Sequence, residues 1–176
     1  MKITKLIAVA VLLCIMTITL AGCGNTITGK YYVHLTDEQK EEMKQGGELS
    51  PQELEEGFEN VQSMYIQLNK DNTFTNHMMA ATSNPAEGVY NFLDLIGTYT
   101  VDGDIISIVY SEDSLRKYYD SAMESVEIPE SPYEHSFESY KEMLMQTMNI
   151  DYVVDSDYKN LALKNSEEGI WQYKKR

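Results

Sequence analysis

The chain has 176 residues, 43% of them hydrophobic and 24% charged, and its formal net charge at pH 7 is −14. This length and apolar fraction suit one folded domain with a hydrophobic core, and they exclude a wholly disordered chain. Because nucleic acids attract basic proteins through their phosphates, a chain this acidic is not expected to bind nucleic acid.

The first 22 residues have the layout of a secretory signal peptide. Lys2 and Lys5 precede an apolar run over residues 6–20, and small residues stand just before Cys23. The sequence Leu20-Ala21-Gly22-Cys23 resembles the lipobox of Gram-positive-type bacterial lipoproteins. That resemblance implies cleavage before Cys23 and a diacylglycerol thioether on its sulfur. The lipid would hold the protein on the extracytoplasmic face of the cell membrane.

Two alternatives to lipidation exist for this segment. An uncleaved membrane anchor needs about 20 apolar residues, whereas the run before Cys23 is shorter and contains Thr17 and Thr19. Ordinary signal cleavage would instead leave Cys23 unmodified. The other cysteine, Cys14, lies within the signal peptide, so the mature domain is expected to fold without a disulfide.

The chain is therefore expected to divide into three parts. These are a signal peptide over residues 1–22, a lipidated tether over 23–28 and a single folded domain over 29–176. Within that domain, the alternation of Tyr31, Val33 and Leu35 predicts a first strand. Capping-box patterns at residues 36–39 and 50–53 then predict two polar helices near residues 36–60.

The middle of the domain contains two hairpin signals. Residues 64–68 and 73–78 alternate in polarity around a polar turn. The clearer signal is Asp102-Gly103-Asp104 between the β-rich runs 96–101 and 105–110. The pattern leaves undecided whether residues 84–95 form a helix or a strand.

From Ser111 the apolar spacing becomes helical, and this predicts helical insertions near residues 111–148. The first stripe runs from Leu115 to Met123, and the second comprises Tyr133, Phe137, Tyr140, Leu144 and Met148. Three short strands are predicted at residues 150–154, 158–164 and 169–174.

The predicted fold class is α+β, mainly an antiparallel β-barrel of about eight strands with helical insertions. Three segments carry a resemblance to small Gram-positive lipoproteins with a lipocalin-like barrel: Gly29-Lys30-Tyr31, the hairpin around Gly103, and Trp171-Gln172-Tyr173-Lys174. Lipocalins usually open with glycine, any residue and then tryptophan, whereas this chain has Tyr31 at that position. The resemblance implies a barrel that is filled by side chains or holds one small ligand.

Catalytic and metal-binding patterns are not found in the sequence. His34, His77 and His135 lie on separate predicted elements without metal-ligand spacing, so no metal site is expected. A nucleophile elbow, a phosphate loop, HExxH and CxxC are all missing. We therefore expect a protein that is not an enzyme and needs no cofactor.

Aromatic residues on the predicted strands are the candidate ligand-binding residues: Tyr31, Tyr99, Tyr110, Trp171 and Tyr173. If they point into the barrel, they would offer apolar faces and polar tips to a small amphipathic ligand. The alternative is that they fill the core, as aromatic strand residues usually do.

The expected function is noncatalytic binding of a small amphipathic ligand in an extracytoplasmic β-barrel. The alternative is a protein–protein interaction module of the cell envelope, which would present the acidic surface of residues 37–59 to a partner. The sequence specifies neither the ligand nor the partner, and it does not give the oligomeric state.

Overall fold

The computed structural model describes residues 26–45, 50–125, 136–164 and 172–176. In this part of the chain, eight antiparallel strands close into a barrel in which sequence neighbours pair and the last strand pairs with the first. The predicted fold class is thereby confirmed. The strands are β1 Gly29–His34, β2 Tyr65–Leu68, β3 Thr73–Met79, β4 Phe92–Asp102, β5 Ile105–Tyr110, β6 Asp151–Val154, β7 Asn160–Leu163 and β8 Gln172–Lys175.

Helices occupy the regions where insertions were predicted. They are α1 Asp37–Gln45, α2 Pro51–Ser63, α3 Glu112–Ser125 and α4 Phe137–Met148. The capping box of α2 is present, because the backbone N–H of Glu53 donates to Ser50 Oγ at 3.3 Å and that of Ser50 donates to Glu53 Oε2 at 2.7 Å. Ser136 is the N-cap of α4. Tyr133 of the predicted stripe lies outside the described residues.

Residues 84–95, which the sequence pattern left undecided, contain two kinds of structure. Pro85–Glu87 forms a short 3₁₀ helix that ends at Gly88, whose φ of +70° is left-handed. Strand β4 then begins at Phe92 and pairs with β3 along the register from Met79↔Phe92 to Thr73↔Thr98. Local periodicity could not reveal this strand, because its pairing partner lies in another part of the chain.

The two ends of the barrel differ because successive strands run in opposite directions. At the turn end, short connections over residues 69–72, 103–104 and 155–159 join strand pairs. At the helix end lie α1 and α2, the connection over residues 80–91, and α3 and α4. All helices in the described part of the chain are therefore at one end of the barrel. None of them combines the length and apolar character required to span a membrane.

Inward-pointing side chains occupy the barrel interior, which is one of the two arrangements that an eight-strand circumference allows. The strand residues of this core are Tyr31, Ile66, Leu68, Phe74, Leu95, Tyr99, Ile106, Ile108, Tyr110, Tyr152, Val154 and Leu161. Helices α3 and α4 add Leu115, Tyr119, Phe137 and Leu144. A second, smaller cluster forms where Val61 of α2 packs with Val33 and Leu35.

Candidate functional site

The tyrosines predicted to bind a ligand lie within the packed core or against it. Tyr31 and Tyr99 are 0% and 4% exposed. The Tyr31 hydroxyl donates to the carbonyl oxygen of Ile27 at 2.7 Å, and that of Tyr99 donates to the carbonyl oxygen of Asn69 at 2.6 Å. Burial raises the pKa of Tyr31 to about 12. Both phenols thus have internal hydrogen-bond partners and help to fill the barrel.

Tyr110 and Tyr173 occupy the same cluster. The side-chain amide of Asn76 donates to the Tyr110 hydroxyl at 2.5 Å, and the Phe74 ring meets the Tyr110 ring edge-on at 5.0 Å. Burial raises the pKa of Tyr110 well above its usual value. Tyr173 is half-buried and packs edge-on against Tyr152 at 5.8 Å. These placements correspond to the alternative in which the tyrosines fill the core.

Two predicted sites fall on other parts of the chain. Cys23, the predicted lipid site, and Trp171, the fifth aromatic candidate, both lie outside the described residues. Lipidation, the division of the chain at residues 22 and 28, and any contact of Trp171 with a ligand all stay predictions.

An apolar cavity of about 290 Å³ lies at the helix end, outside the packed barrel interior. It is bordered by α1, α2, the end of β3 and the connection that follows β3. We call it the methionine cavity. Its lining residues are Met43, Glu53, Leu54, Gly57, Val61, Met64, Met79, Pro85 and Tyr90.

The sequence builds one wall of this cavity from a single helix face. Leu54, Gly57 and Val61 follow each other at three- and four-residue spacing along α2, so they lie on the same side of the helix. Gly57 keeps this wall open, since a Cβ atom there would stand 3.3 Å from the Tyr90 hydroxyl. A larger side chain at Gly57 would project toward Tyr90 and occupy the cavity.

The polar side of the methionine cavity is anionic. Hydrogen bonds from Ser50 lower the pKa of Glu53, so its exposed carboxylate is ionised at neutral pH. The rest of α2 contributes Glu55, Glu56 and Glu59 and no basic residue. The cavity therefore combines an apolar interior with a negative potential at the adjacent surface. That combination suits a small molecule with an apolar part and a cationic or hydrogen-bond-donating head.

Sequence reasoning did not identify this site. The available signal was the apolar face of α2 in an otherwise charged helix. That face alone cannot show whether its partner is a tight core or a cavity.

The histidines do not form a shared site in the described part of the chain. His77 stacks between Tyr65 and Phe92, with ring centroids 5.0 and 4.9 Å apart, and its Nδ1 lies 2.7 Å from Asp94 Oδ1. His34 lies on β1, and His135 is outside the described residues. Among the described side chains, no group of three or more histidines, cysteines, aspartates or glutamates is arranged to hold a metal ion.

Comparison with known proteins assigns no family to this chain. No protein-family model matches it, and no curated protein matches it. Among solved structures, an uncharacterized protein from Bacteroides eggerthii is similar, with a TM-score of 0.39 and 17% identity. The match covers 86% of this chain and 100% of the other. A likeness at this level carries no argument about function.

Proposed function

We propose that this protein is a lipid-anchored binding protein of the cell envelope that holds a small amphipathic ligand without catalysing a reaction. Cys23 is the proposed anchor, and the ligand's apolar part occupies the methionine cavity. The observation that carries the proposal is this cavity of about 290 Å³, near the lower end of the size range of small-molecule sites. Buried side chains occupy the barrel interior, so we place the ligand beneath the helices.

The chemistry of the lining narrows the class of ligand. Met43 of α1, Met64 between α2 and β2, and Met79 at the end of β3 all line the cavity. Unbranched, polarisable methionine side chains adapt to irregular apolar shapes, so they suit a short alkyl chain or a small ring. The carboxylate of Glu53 favours a cationic head over an anionic one.

The test uses the full chain in phosphatidylcholine nanodiscs, with ¹³C-methyl methionine NMR as the readout. We expect hexylammonium to shift the methyl signals of Met43, Met64 and Met79 saturably. Hexanoate should bind roughly fivefold more weakly, because its charge is repelled by the surface of α2. Signals that do not move at millimolar concentrations of either probe would contradict the proposal.

A matched pair of variants distinguishes binding in the methionine cavity from binding to the exposed surface of α2. Gly57→Leu places a side chain in the cavity, and we expect it to abolish the shifts while the fold persists. Glu55→Leu adds the same side chain at an exposed position of α2, and we expect it to preserve them. Equal binding by Gly57→Leu and the unaltered chain would argue against the methionine cavity as the site.

A second candidate function rests on the acidic surface of α2. Its four glutamates without a basic residue suit docking to a cationic surface of another envelope protein. In that case, reversing charge at Glu55, Glu56 and Glu59 to lysine should remove specific cross-links on the native envelope. Cross-links unaffected by charge reversal and by added salt would exclude this electrostatic docking.

A further inference from the structure

A second cavity, of about 390 Å³, lies between α3 and the residues that connect β3 to β4. We call it the polar groove. Asp113, Asp120 and Glu124 line it from α3, and Phe92 and Leu93 line it from the start of β4. The groove therefore has carboxylates along one wall and an apolar surface on the other. It shares none of its lining residues with the methionine cavity.

Ser121 gives an indication of ligand binding in the polar groove that does not depend on the carboxylates. This residue lines the groove, is only 7% exposed, and its Oγ has no hydrogen-bond partner among the described residues. Buried hydroxyl groups in folded proteins nearly always have a partner, because losing water without replacement is unfavourable. A hydrogen-bond donor of a bound molecule would supply the partner that the fold does not provide.

The carboxylates of the polar groove form a row along α3. Asp113 and Asp120 are seven residues apart, and Asp120 and Glu124 are four apart, which corresponds to about 10 Å and 6 Å along the helix axis. None of the ion pairs among the described residues includes any of these three carboxylates. A row of this length matches an extended molecule with separated positive charges better than a single metal ion.

Two cations also line the groove, and both have partners at its edges. Lys117 Nζ donates to the carbonyl oxygen of Asp94 at 3.1 Å. Arg116 Nη2 donates to Glu138 Oε1 at 3.3 Å, and its guanidinium lies 4.1 Å from the centroid of the Phe137 ring. These contacts hold the two side chains against neighbouring elements, and the charge of Arg116 is paired with Glu138, which does not line the groove. With three carboxylates against two cations, the lining keeps a formal charge of −1.

We infer that the polar groove binds an extended aliphatic di- or polyamine. Its ammonium groups pair with Asp113, Asp120 and Glu124, and one of them donates to Ser121 Oγ. Its methylene segments lie against Phe92 and Leu93, where a nearby ammonium also gains from the aromatic face. When three or four methylenes join two amine nitrogens, the distance between the nitrogens is close to the spacing of Asp120 and Glu124 along the helix axis.

Titration calorimetry of spermidine into the full chain in phosphatidylcholine nanodiscs tests this inference. We expect saturable binding at one site. The double variant Asp120→Asn/Glu124→Gln should weaken binding about tenfold, because two charge-assisted contacts are lost. Ser121→Ala should weaken it roughly threefold, because the hydroxyl acceptor is removed. Thermal unfolding of each variant checks that the fold is retained.

Glu142→Gln is the matched control, because Glu142 is an exposed carboxylate on α4 that does not line the groove. Spermidine binding should be unchanged in this variant. If Glu142→Gln weakens binding as much as the double variant, the amine is attracted only by the overall negative charge and the inference is overturned. Unchanged binding in both the double variant and Ser121→Ala would overturn it too.

Discussion

Tyr31 links the barrel core to the residues that precede β1. Its hydroxyl donates to the carbonyl oxygen of Ile27 at 2.7 Å and also lies 3.2 Å from the carbonyl oxygen of Tyr158, while its ring is fully buried. Burial is the main reason that the pKa of this phenol rises to about 12, and the nearby Asp155 carboxylate adds to the effect. The folded state therefore favours the neutral, protonated form of the Tyr31 side chain.

This pKa predicts how stability changes in alkali. Below pH 10 the phenol is protonated in both the folded and unfolded chains, so its contribution to stability is constant. Between pH 10 and about 12 the unfolded chain loses this proton and the folded chain keeps it, so the free energy of unfolding falls as pH rises. In urea titrations across this range, Tyr31→Phe should show a shallower fall. An identical slope in both chains would contradict the prediction.

At the scale of elements, Gly97 decides how closely β4 and β5 approach. A Cβ atom there would lie 2.1 Å from the Val109 carbonyl oxygen, 2.8 Å from Tyr110 Cα and 2.6 Å from the Phe74 ring. The first two neighbours are backbone atoms of the paired strand, which cannot move without disturbing the hairpin. No side chain fits at this position of the barrel.

Gly97→Ala is therefore expected to destabilise the protein by about 3 kcal/mol or more, as overpacking against rigid backbone does. Thr98→Ala is the control on the same strand, since Thr98 is exposed, and it should change the free energy of unfolding by no more than about 0.5 kcal/mol. Urea-induced unfolding measures both. If the Gly97→Ala and Thr98→Ala variants had equal free energies of unfolding, β4 and β5 would be able to separate at little cost.

At the scale of the whole molecule, the start of the described chain lies at the turn end. Lys175 Nζ donates to the Thr26 carbonyl oxygen at 2.6 Å, and Ile27 packs against the barrel core. Cys23 precedes Thr26 by three residues, a reach of at most about 11 Å. A lipid on Cys23 would thus hold the turn end toward the membrane. The acidic helices and both cavities would then face away from the anionic headgroups.

Fluorescent labels on single introduced cysteines test this orientation. In the lipidated chain, a label at Asp104→Cys of the turn end should be quenched strongly by headgroup-attached quenchers, and one at Glu56→Cys of α2 weakly. Cys23→Ser is the control, and it should lose the lipid mass and leave the membrane fraction. Equal quenching at the two positions would contradict the orientation, whereas a Cys23→Ser chain that stays in the membrane would contradict the anchor.

The sequence alone determined the features that depend on neighbouring residues. Asp102-Gly103-Asp104 predicted the β4–β5 hairpin, and Gly103 has the left-handed φ of +63° that such a turn uses. The reciprocal pattern of Ser50 and Glu53 predicted the start of α2. Such signals sufficed to predict the fold class, because strands joined by short turns pair locally and helices start at their own caps.

Tertiary structure alone decided the features that depend on distant residues. The register in which β8 pairs with β1, the extension of β4 back to Phe92 and the burial of Tyr31 and Tyr99 all arise from pairing or packing across the chain. The same holds for both cavities, whose walls come from separate elements. Periodicity shows that a face is apolar, but the space opposite that face is set by how the elements pack. The candidate sites therefore emerged only from the assembled fold.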